Sequence, residues 1–467
     1  MDQKRRAIIL CGGEGSRLWP LSRSNRPKYL STFNNKNSLL QDTIERLSES
    51  LNTKDIIIVT NKDHKYEVIG QLYEKNSKSK PKILVEPSAK NTLPAITLAM
   101  RDIMADNPHS IVGIFPSDHH IKDKKKFNAA WNNADELSKK NYFVLLGIQP
   151  QRPDIGYGYI QYDSNENNIQ NEGHKVISFH EKPNQEIATK YMNKGYLWNS
   201  GIFFVSAKKY IETLRLHQKE IYELFFTDNS YDVDTIYDNI NNLSIDVGLA
   251  EKCTDMMVLR YDLEWTDLGS WNSVYDYVEK DVDNNAISGR TLLDETTNSL
   301  IWSKDRLTVT CGIKDLAIID TNDALLVISK DKIHKMRNLV DRIKQEKFKE
   351  IDNKNIEYRP WGLFEILDES MNYKIKRITV YPNQKLSLQM HNQRSEHWII
   401  IKGQATVTNK DNIFTLHQNE STFIEKQSKH RIENNFSENL VFIEVQYGEY
   451  FGEDDIVRFD DIYKRES

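Results

Sequence analysis

The sequence predicts an α/β domain built on a mostly parallel sheet with a small β-rich appendix, followed by a C-terminal all-β domain. In the first half, short apolar runs alternate with charged stretches of helix length, a pattern typical of strands joined by helices around a parallel sheet. Beyond residue 350, short strand-like runs follow one another, separated by Gly, Asn and Pro turns. A chain of 467 residues is also too long for one ordinary core.

Five apolar runs mark the expected strands of the first domain. Each lacks a polar interruption, as strands covered on both faces do. The runs are residues 7–11, 56–59, 83–85, 111–115 and 143–146. Ligands bind beyond the carboxyl ends of the strands in such sheets. Because Gly12-Gly13 and Ser117-Asp118 follow two of these runs, we expect the chemistry to lie there.

Changes in the pattern set the expected domain boundaries. We place the α/β domain at residues 1–283, a β-rich appendix with a helical linker at 284–350, and the all-β domain at 351–467. Short β-like pieces at 307–310 and 325–328 characterise the appendix. In the last domain, strands are predicted at 375–380, 398–401, 405–407 and 440–445.

Composition excludes several classes of function. With 63 basic and 68 acidic residues the chain has no general basic field, so nucleic acid is not an expected partner. Cys11, Cys253 and Cys311 show no CxxC spacing, which argues against a disulfide framework or a thiolate zinc site. The apolar start is too short for a signal peptide, and no run approaches a membrane span. We therefore expect a cytoplasmic protein with no membrane partner.

A glycine-rich segment, GGEGSRLWPLSRSNRPKYL, follows the first predicted strand. Its glycines would let main-chain N–H groups approach a phosphate, and Arg17, Arg23 and Lys28 would add positive charge. Taken alone, the segment could equally be a tight strand-to-helix turn beside a solvated basic patch. It is neither the Gly-x-x-x-x-Gly-Lys-Ser/Thr loop nor a complete dinucleotide fingerprint, because Leu18 stands at the third glycine position.

This segment resembles the signature loop of the sugar-nucleotide pyrophosphorylases, and residues 17–23, Arg-Leu-Trp-Pro-Leu-Ser-Arg, resemble their mannose-1-phosphate guanylyltransferase branch. The likeness continues in order through residues 86–92, 116–119, 156–160, 181–183, 198–201, 244–246 and 265–271. It implies a Rossmann-like nucleotidyltransferase fold that joins GTP to mannose 1-phosphate. The product would be GDP-mannose for a polysaccharide such as lipopolysaccharide.

The resemblance also implies roles for individual residues. Nucleotidyl transfer concentrates negative charge around the α-phosphorus, so the site needs a cation with hard oxygen ligands. Asp118 and Asp267 are implied to hold Mg²⁺, although a lone Asp is more often a helix cap or turn residue. Arg17 and Lys28 would neutralise the pyrophosphate. Lys182 would hold the phosphate of mannose 1-phosphate.

The resemblance also implies which residues contact the substrates. Glu181 and Asn199 would bond sugar hydroxyls, and Glu86 would contact the nucleotide base. The full substrate-binding set in this domain is Gly12, Gly13, Gly15, Arg23, Glu86, Asn91, Gly158, Glu181 and Asn199. Tyr29 and Lys90 depart from the family pattern, where Gln and Arg are usual, which leaves fine nucleotide selectivity open.

From residues 359–362 to the end, the sequence resembles the type II phosphomannose isomerase domain, a cupin fused to these guanylyltransferases. Gln389 and His391 lie two apart and so face the same side of a strand. With Glu396 and His430 they form a mixed ligand set that suits Zn²⁺ or another divalent metal.

The implied second reaction interconverts mannose 6-phosphate and fructose 6-phosphate. Arg394 and Arg458 are candidates for substrate contacts. The general base is not identified. Asn392 and Gln393 stand where the family commonly shows further histidine, which leaves the isomerase activity open.

Two alternatives remain beside the bifunctional enzyme. One is a catalytically silent nucleotide-sugar sensor, which should have lost its metal ligands. The other is a guanylyltransferase whose cupin is a metal-free oligomerisation module. The expected small-molecule partners are GTP, mannose 1-phosphate and mannose 6-phosphate. Homo-oligomerisation is left open.

Overall fold

The computed structural model describes residues 4–13, 15–33, 37–74, 80–163, 173–227, 232–352 and 355–463. The chain divides into two compact units. Unit 1 comprises Met1–Lys65 and Ser77–Ile351, and unit 2 comprises Tyr66–Asn76 and Asp352–Ser467. Within the described ranges, each helix is too short or too polar to cross a bilayer.

Residues 4–284 alternate strands and helices. The strands are β1 (Arg5–Cys11), β2 (Ile56–Asn61), β3 (Lys82–Glu86), β4 (Ile111–Pro116), β5 (His120–Ile121), β6 (Phe143–Ile148), β7 (Tyr159–Tyr162), β8 (His174–His180), β9 (Leu197–Ser206), β10 (Met256–Arg260) and β11 (Trp265–Thr266). The helices are α1 (Leu39–Ser48), α2 (Lys65–Glu74), α3 (Thr92–Asp106), α4 (Lys124–Lys139), α5 (Gln185–Asn193), α6 (Ala207–His217), α7 (Lys219–Phe226), α8 (Val233–Asn239) and α9 (Trp271–Tyr277). All five predicted strands are present.

The central sheet of unit 1 has the strand order β3-β2-β1-β4-β9-β6-β10-β8-β7 among the described residues. β1 runs parallel to β2 and β4, β2 to β3, and β6 to β10. β9 runs antiparallel to β4, β6 and β7, and β8 to β10 and β7. Only β8 and β9 therefore oppose the common direction of these strands. The predicted mostly parallel sheet is confirmed, with one antiparallel strand in its middle.

Helices cover both faces of this sheet. α3 packs against β1, β2 and β3, where Ile8 of β1 joins its buried apolar cluster. α4 packs against β4, β6 and β9. There Phe115 meets Phe127 and Trp131, with ring centroids 5.8 and 5.0 Å apart. Neighbouring strand residues point to opposite faces, so uninterrupted apolar runs supply both layers.

The appendix after residue 284 is a short β-helix. Its strands are β12 (Ala286–Ser288), β13 (Thr291–Asp294), β14 (Leu300–Ser303), β15 (Thr308–Cys311), β16 (Leu316–Asp320) and β17 (Leu325–Ser329), followed by α10 (Met336–Gln345). Successive coils stack in parallel, which aligns Ala286, Leu300 and Ala317. The same buried cluster contains Leu18 and Trp271. The core of the appendix therefore extends to the glycine-rich segment.

Unit 2 consists mainly of two facing β-sheets. Its strands after residue 355 are β18 (Ile356–Arg359), β19 (Gly362–Glu369), β20 (Tyr373–Val380), β21 (Gln384–Lys385), β22 (Leu388–His391), β23 (Arg394–Lys402), β24 (Ala405–Asn409), β25 (Asn412–Leu416), β26 (Ser421–Ile424), β27 (His430–Asn434), β28 (Leu440–Gly448) and β29 (Ile456–Asp460). The sheet orders are β18-β19-β20-β28-β23-β26 and β25-β24-β27-β22-β29, with β21 beside β27. α2 also belongs to this unit, and its Tyr73 stacks on Tyr381 at 4.3 Å between centroids. This is the expected all-β, cupin-like domain.

The turn at Gly289 provides a stability test of the β-helix. Gly289 has φ +95°, and an added Cβ would lie 1.9 Å from the carbonyl oxygen of Ser303. Gly289→Ala must therefore displace the neighbouring backbone as well as strain its own. Gly195 is the matched control, because its φ is +78° but nothing lies within 4 Å of the added atom. Its alanine variant should lose only about 1 kcal/mol, the usual cost of a left-handed residue.

We expect Gly289→Ala to lose at least about 2 kcal/mol more than Gly195→Ala, as overpacking commonly does. Urea unfolding followed by circular dichroism measures both. Equal losses would show that the β-helix absorbs the side chain without a clash.

Candidate functional site

The two candidate magnesium ligands lie at one end of a short two-stranded ribbon in unit 1. β5 and β11 pair antiparallel, with His120 opposite Thr266. Asp118 precedes this ribbon, and Asp267 directly follows β11. The ribbon therefore brings together two residues that are 149 positions apart in the sequence (267 − 118).

Lys28 connects the two aspartates. Its Nζ lies 2.6 Å from Asp118 Oδ2 and also donates a hydrogen bond to the main-chain carbonyl of Asp267. Lys28 is only 5% exposed, so its charge needs these partners. Burial by itself would raise the pKa of Asp118, but the charges of Lys28 and His119 outweigh it and lower that pKa. Asp118 is therefore an anion at neutral pH.

Asp267 is oriented from two further directions. The Tyr157 hydroxyl donates to Asp267 Oδ1 at 2.8 Å, and the N–H of Gly269 donates to the same atom at 2.9 Å. Burial, followed by the charge of Asp267, raises the pKa of Tyr157, so the phenol stays a neutral donor. The sequence blocks contained Tyr157, but no role was predicted for it.

The glycine-rich segment leaves its main chain open at the end of β1. Gly12 and Gly13 are exposed, and a Cβ at either would meet nothing within 4 Å. Gly15 is different, because a Cβ there would lie 2.6 Å from the Cβ of Lys28. Arg17 is exposed on the following 3-10 turn, Ser16–Leu18. Open backbone and exposed guanidinium together suit an anion.

Arg23 has internal partners. Its guanidinium lies 2.7 Å from Asp323 of the β-helix, donates to the carbonyl of Pro20 and lies over the Trp19 ring. The residue is 4% exposed. Arg23 therefore links the glycine-rich segment to the β-helix. Its predicted contact with substrate stays a prediction.

A second group of predicted residues gathers beside β7, β8 and β9. A Cβ on Gly158 would lie 2.8 Å from Glu181 Oε2 and 3.4 Å from the Cβ of Asn199, so the glycine permits their close approach. Asn199 donates to Asp246 Oδ1 at 2.9 Å. Burial and the nearby charge of Glu181 raise the pKa of Asp246 to about 6. Lys182 pairs with Glu181, and its side chain is largely exposed.

Glu86 and Asn91 flank the link between β3 and α3. Glu86 is 7% exposed and accepts a hydrogen bond from the Tyr237 hydroxyl at 2.8 Å. Burial raises its pKa to about 7. The Asn91 side chain accepts from the N–H of Thr92 at the start of α3. Lys90, which departs from the family pattern, donates to the carbonyl of Ile240 at 3.0 Å.

In unit 2, three candidate ligands form a buried cluster. His391 ends β22, Glu396 lies in β23 and His430 begins β27. Each is 1% exposed, and one potential ligand atom from each lies within 4.8 Å of the others. Gln389 is adjacent, with its Nε2 at 3.5 Å from His391 Nε2. The predicted four residues are thus brought together by three strands.

The donor atoms of this cluster fit a divalent metal. His391 Nε2 lies 3.0 Å from Glu396 Oε1, and His430 Nε2 lies 3.7 Å from Glu396 Oε2. His430 Nδ1 pairs with the carbonyl of Ser428 at 2.8 Å, while its buried Nε2 has no hydrogen-bond partner. A ring held through one nitrogen with the other left unpaired is the usual arrangement of a metal-binding histidine.

Positive charge surrounds the central carboxylate. Burial would raise the pKa of Glu396, but the hydrogen bond and charge of His391, together with the charges of His430 and Arg394, hold it well below its usual value. Trp398 donates to its Oε2 at 3.1 Å. Arg394 is 3% exposed with its Nε 3.3 Å from Glu396 Oε1. This predicted substrate residue therefore borders the metal set directly.

The cavity beside this cluster contains charged residues that sequence reasoning missed. Glu444 is 4% exposed, accepts from Gln446 at 2.8 Å and lies 3.9 Å from Lys376 Nζ. Arg359 and Arg458 line the same cavity. Of Glu444, Lys376, Arg359 and Arg458, only Arg458 was predicted from the sequence to contact the substrate. Lys376 and Glu444 stand opposite each other on β20 and β28, a proximity that one sequence does not reveal.

Comparison with known families divides the chain into three matches. Residues 6–284 match the model described as nucleotidyl transferase. Residues 289–343 match the MannoseP isomerase/GMP-like beta-helix domain, and residues 346–461 match the mannose-6-phosphate isomerase C-terminal model.

Relatives match along almost the entire chain. A mannose-1-phosphate guanylyltransferase of Salmonella montevideo is 37% identical, over 98% of this chain and 99% of that protein. The alginate biosynthesis protein AlgA of Pseudomonas aeruginosa is 36% identical, over 98% and 97%. The crystal structure described as mannose-1-phosphate geranyltransferase from Thermus thermophilus covers 73% of this chain and 100% of that one, with TM-score 0.68 and 27% identity.

The buried Glu86 predicts a pH dependence of stability. Its pKa is about 7 in the native protein, against an ordinary value of 4.5 for a glutamate side chain. The native state therefore binds more protons than the unfolded state between these two pKa values. The free energy of unfolding should fall as pH rises through that window, by up to about 3 kcal/mol. Glu86→Gln keeps an acceptor for Tyr237 and removes the titration.

Denaturant unfolding at about pH 5 and about pH 8 measures this effect. We expect Glu86→Gln to gain stability relative to the parent at the higher pH, and the exposed control Glu251→Gln to show no such gain. If the difference in free energy of unfolding between the parent and Glu86→Gln were the same at both pH values, the raised pKa of Glu86 would be contradicted.

Proposed function

The chain belongs to the family of mannose-1-phosphate guanylyltransferases with a C-terminal mannose-6-phosphate isomerase domain, and from that premise we propose how its residues perform both reactions. Unit 1 transfers the guanylyl group of GTP to mannose 1-phosphate, forming GDP-mannose and pyrophosphate. Unit 2 interconverts mannose 6-phosphate and fructose 6-phosphate.

The arrangement of Asp118, Lys28 and Asp267 is the observation that carries the first proposal. The two aspartates lie at the same end of the β5–β11 ribbon, where the buried Lys28 ammonium group contacts the Asp118 carboxylate and the main-chain carbonyl of Asp267. The aspartates would hold Mg²⁺, which supplies charge stabilisation at the α-phosphate oxygens. A silent sensor would not need this constellation.

The remaining residues position the two substrates. Gly12 and Gly13 would donate main-chain hydrogen bonds to the triphosphate, and Arg17 would neutralise the departing pyrophosphate. Lys182 would bind the phosphate of mannose 1-phosphate, while Glu181 and Asn199 bond its hydroxyls. The attacking phosphate oxygen is already anionic, so alignment replaces a general base.

Glu86 would read the base of GTP. In its ionised form the carboxylate can accept hydrogen bonds from the donor edge of guanine, and Tyr237 fixes its orientation. Its burial keeps the competing water away, which strengthens such contacts.

In unit 2, Gln389, His391, Glu396 and His430 would hold Zn²⁺ or another divalent metal. Bound there, it would polarise the carbonyl oxygen of the sugar phosphate. Arg394 and Arg458 would bind the anionic end of the substrate. Asn392 and Gln393 are exposed and are not part of this set.

Loss of one magnesium ligand should stop synthesis. Asp118→Asn removes a carboxylate charge with little change of shape, and we expect GDP-mannose formation to fall by at least about a hundredfold. Pyrophosphate release at saturating Mg²⁺ measures the rate. The exposed β-helix residue Asp305 supplies the control, Asp305→Asn. Near-normal turnover of Asp118→Asn would refute the metal role.

The two activities should be separable. His391→Ala removes a metal ligand of unit 2, so we expect metal content and isomerisation of mannose 6-phosphate to be lost while synthesis from supplied mannose 1-phosphate continues. His397→Ala is the control, because His397 is exposed on β23, next to the predicted ligand Glu396 in the sequence. Elemental analysis, both assays and a thermal melt are needed. If His391→Ala kept its melting temperature yet lost both activities, independent sites would be ruled out.

A further inference from the structure

The cavity beside the candidate metal cluster of unit 2 is too small for a hexose phosphate. Its volume is about 50 Å³, which is room for a few water molecules, whereas small-molecule sites usually measure about 300–1,000 Å³. The lining includes Gln389 and Glu396 of the cluster together with Arg359, Arg458 and Glu453. A substrate that reaches the cluster through this cavity must therefore displace part of the wall.

Two arginines of this wall approach the same carboxylate. Arg458 Nη2 donates a hydrogen bond to Glu453 Oε2 at 3.2 Å, and Arg359 Nη2 lies 4.0 Å from Glu453 Oε1. The guanidinium groups come from different strands, β18 and β29. The oxygen atoms of a phosphate group are spaced much like those of a carboxylate, and the fork of arginine donors matches both anions. The Glu453 carboxylate therefore marks a position that suits a phosphate group.

Both guanidinium groups have features of a prepared anion site. Arg359 is oriented by Glu357 of its own strand, at 2.5 Å, and by the ring of Phe364, whose centroid is 5.6 Å away. The side chain of Arg458 is 13% exposed, and within the described ranges its Nε has no hydrogen-bond partner. A buried donor of a charged group is costly to leave unpaired. An incoming anion can use this free donor.

Arg458 also lies next to the candidate metal cluster. It stands opposite Gln389 in the pairing of β29 with β22, and directly opposed residues project their side chains to the same face of a sheet. Arg394 meets the cluster itself, with its Nε 3.3 Å from Glu396 Oε1. The arginine pair and the cluster thus border one cavity. A sugar phosphate can place its phosphate group at the pair and its carbonyl end at the cluster.

The charge of the lining favours an anion. Its basic residues are Arg359, Lys376, Arg394 and Arg458, and its acidic residues are Glu396, Glu444 and Glu453. Glu444 lies 3.9 Å from Lys376, and Glu396 accepts a hydrogen bond from Trp398. Of these three carboxylates, Glu453 is the one that faces the arginine pair.

Glu453 can leave this position while its turn stays in place. The 3-10 turn Glu453–Asp455 is anchored by Asp455, whose carboxylate accepts from the N–H groups of Asn392 and Gln393, each at 3.2 Å. The Glu453 side chain is 59% exposed, and an ion pair with an exposed member adds little stability. A phosphate group carries more negative charge than a carboxylate, so it can replace Glu453 at the two arginines.

We propose that Arg359 and Arg458 form the subsite for the phosphate group of the isomerase substrate, and that the Glu453 carboxylate occupies this subsite until the phosphate displaces it. The inference rests on the proposed isomerase reaction of unit 2 and adds to it Arg359 and an internal competitor. The arrangement selects for phosphorylated sugars, because a free sugar has no anionic group with which to displace Glu453.

Calorimetric titration of the full-length protein with mannitol 1-phosphate, in the presence of Zn²⁺ and Mg²⁺, tests the subsite. This reduced form of mannose 6-phosphate has no carbonyl group to isomerise, and saturating GDP-mannose fills the synthetic site of unit 1. We expect one molecule bound per chain and no binding of free mannitol. Arg359→Met and Arg458→Met should each weaken the affinity at least about tenfold, as loss of a charge-assisted contact does. Arg377→Met is the control, because Arg377 is exposed and does not line the cavity.

Glu453→Gln gives the sharpest result, because damage to the fold would not raise an affinity. Removal of the competitor increases the fraction of molecules with an open subsite, so we expect binding at least about threefold tighter. The KM for mannose 6-phosphate should fall in parallel, with little change of kcat. Asp454→Asn is the matched control, because Asp454 is the next residue of the turn, is exposed, and accepts from Tyr450 instead. No gain in Glu453→Gln, or an equal gain in both variants, would overturn the proposal.

The isomerase assay separates this proposal from the reaction on which it rests. If mannitol 1-phosphate binds through Arg359 and Arg458 but the protein does not isomerise mannose 6-phosphate, the phosphate subsite stands and the isomerase reaction fails. If the protein isomerises mannose 6-phosphate and both folded arginine variants keep the parental KM and affinity, the reaction stands and the subsite fails. A thermal melt confirms the folding of each variant.

Discussion

The contact of the Lys28 ammonium group with Asp118 and with the main chain at Asp267 is the interaction on which the first site depends. The lysine is buried, and an isolated buried ammonium group would be costly. Asp118 compensates that cost, and the ammonium group in turn keeps this carboxylate ionised. The close approach of Gly15 to Lys28 ties the glycine-rich segment to the same group. The open backbone at Gly12 and Gly13 and the two aspartates are thereby held in one unit.

Residues of α9, of the β-helix and of the segment after α10 contact the glycine-rich segment. Trp271 donates to the carbonyl of Trp19, and Trp19 donates to that of Glu350, each at 3.1 Å. Arg23 joins the segment to Asp323. Gly12 and Gly13 are exposed, whereas Leu18 packs into the buried cluster of the β-helix. The later part of the segment is therefore anchored in a core that it shares with the appendix.

Unit 2 buries a cluster of ionisable side chains, His391, Glu396 and His430. Two imidazoles and a carboxylate are buried together, which is stable only if charge is balanced. Arg394 contacts Oε1 of Glu396, and the indole N–H of Trp398 donates a hydrogen bond to Oε2. The Nε2 atom of His430 has no hydrogen-bond partner. The same enclosure that makes the unliganded cluster costly would favour metal binding, because little water reaches the donor atoms.

The sequence by itself determined the fold class, because strand and helix periodicities are local properties and the ordered blocks are specific. The predicted strands, the all-β end and the meeting of Gln389, His391, Glu396 and His430 followed from it. Only the tertiary structure decided which charges pair. Arg23 pairs with Asp323, a contact that the sequence did not predict, while Tyr157, Asp246 and Glu444 carried no predicted role. Such pairings depend on burial and on contacts between residues far apart in sequence, and a single sequence records neither.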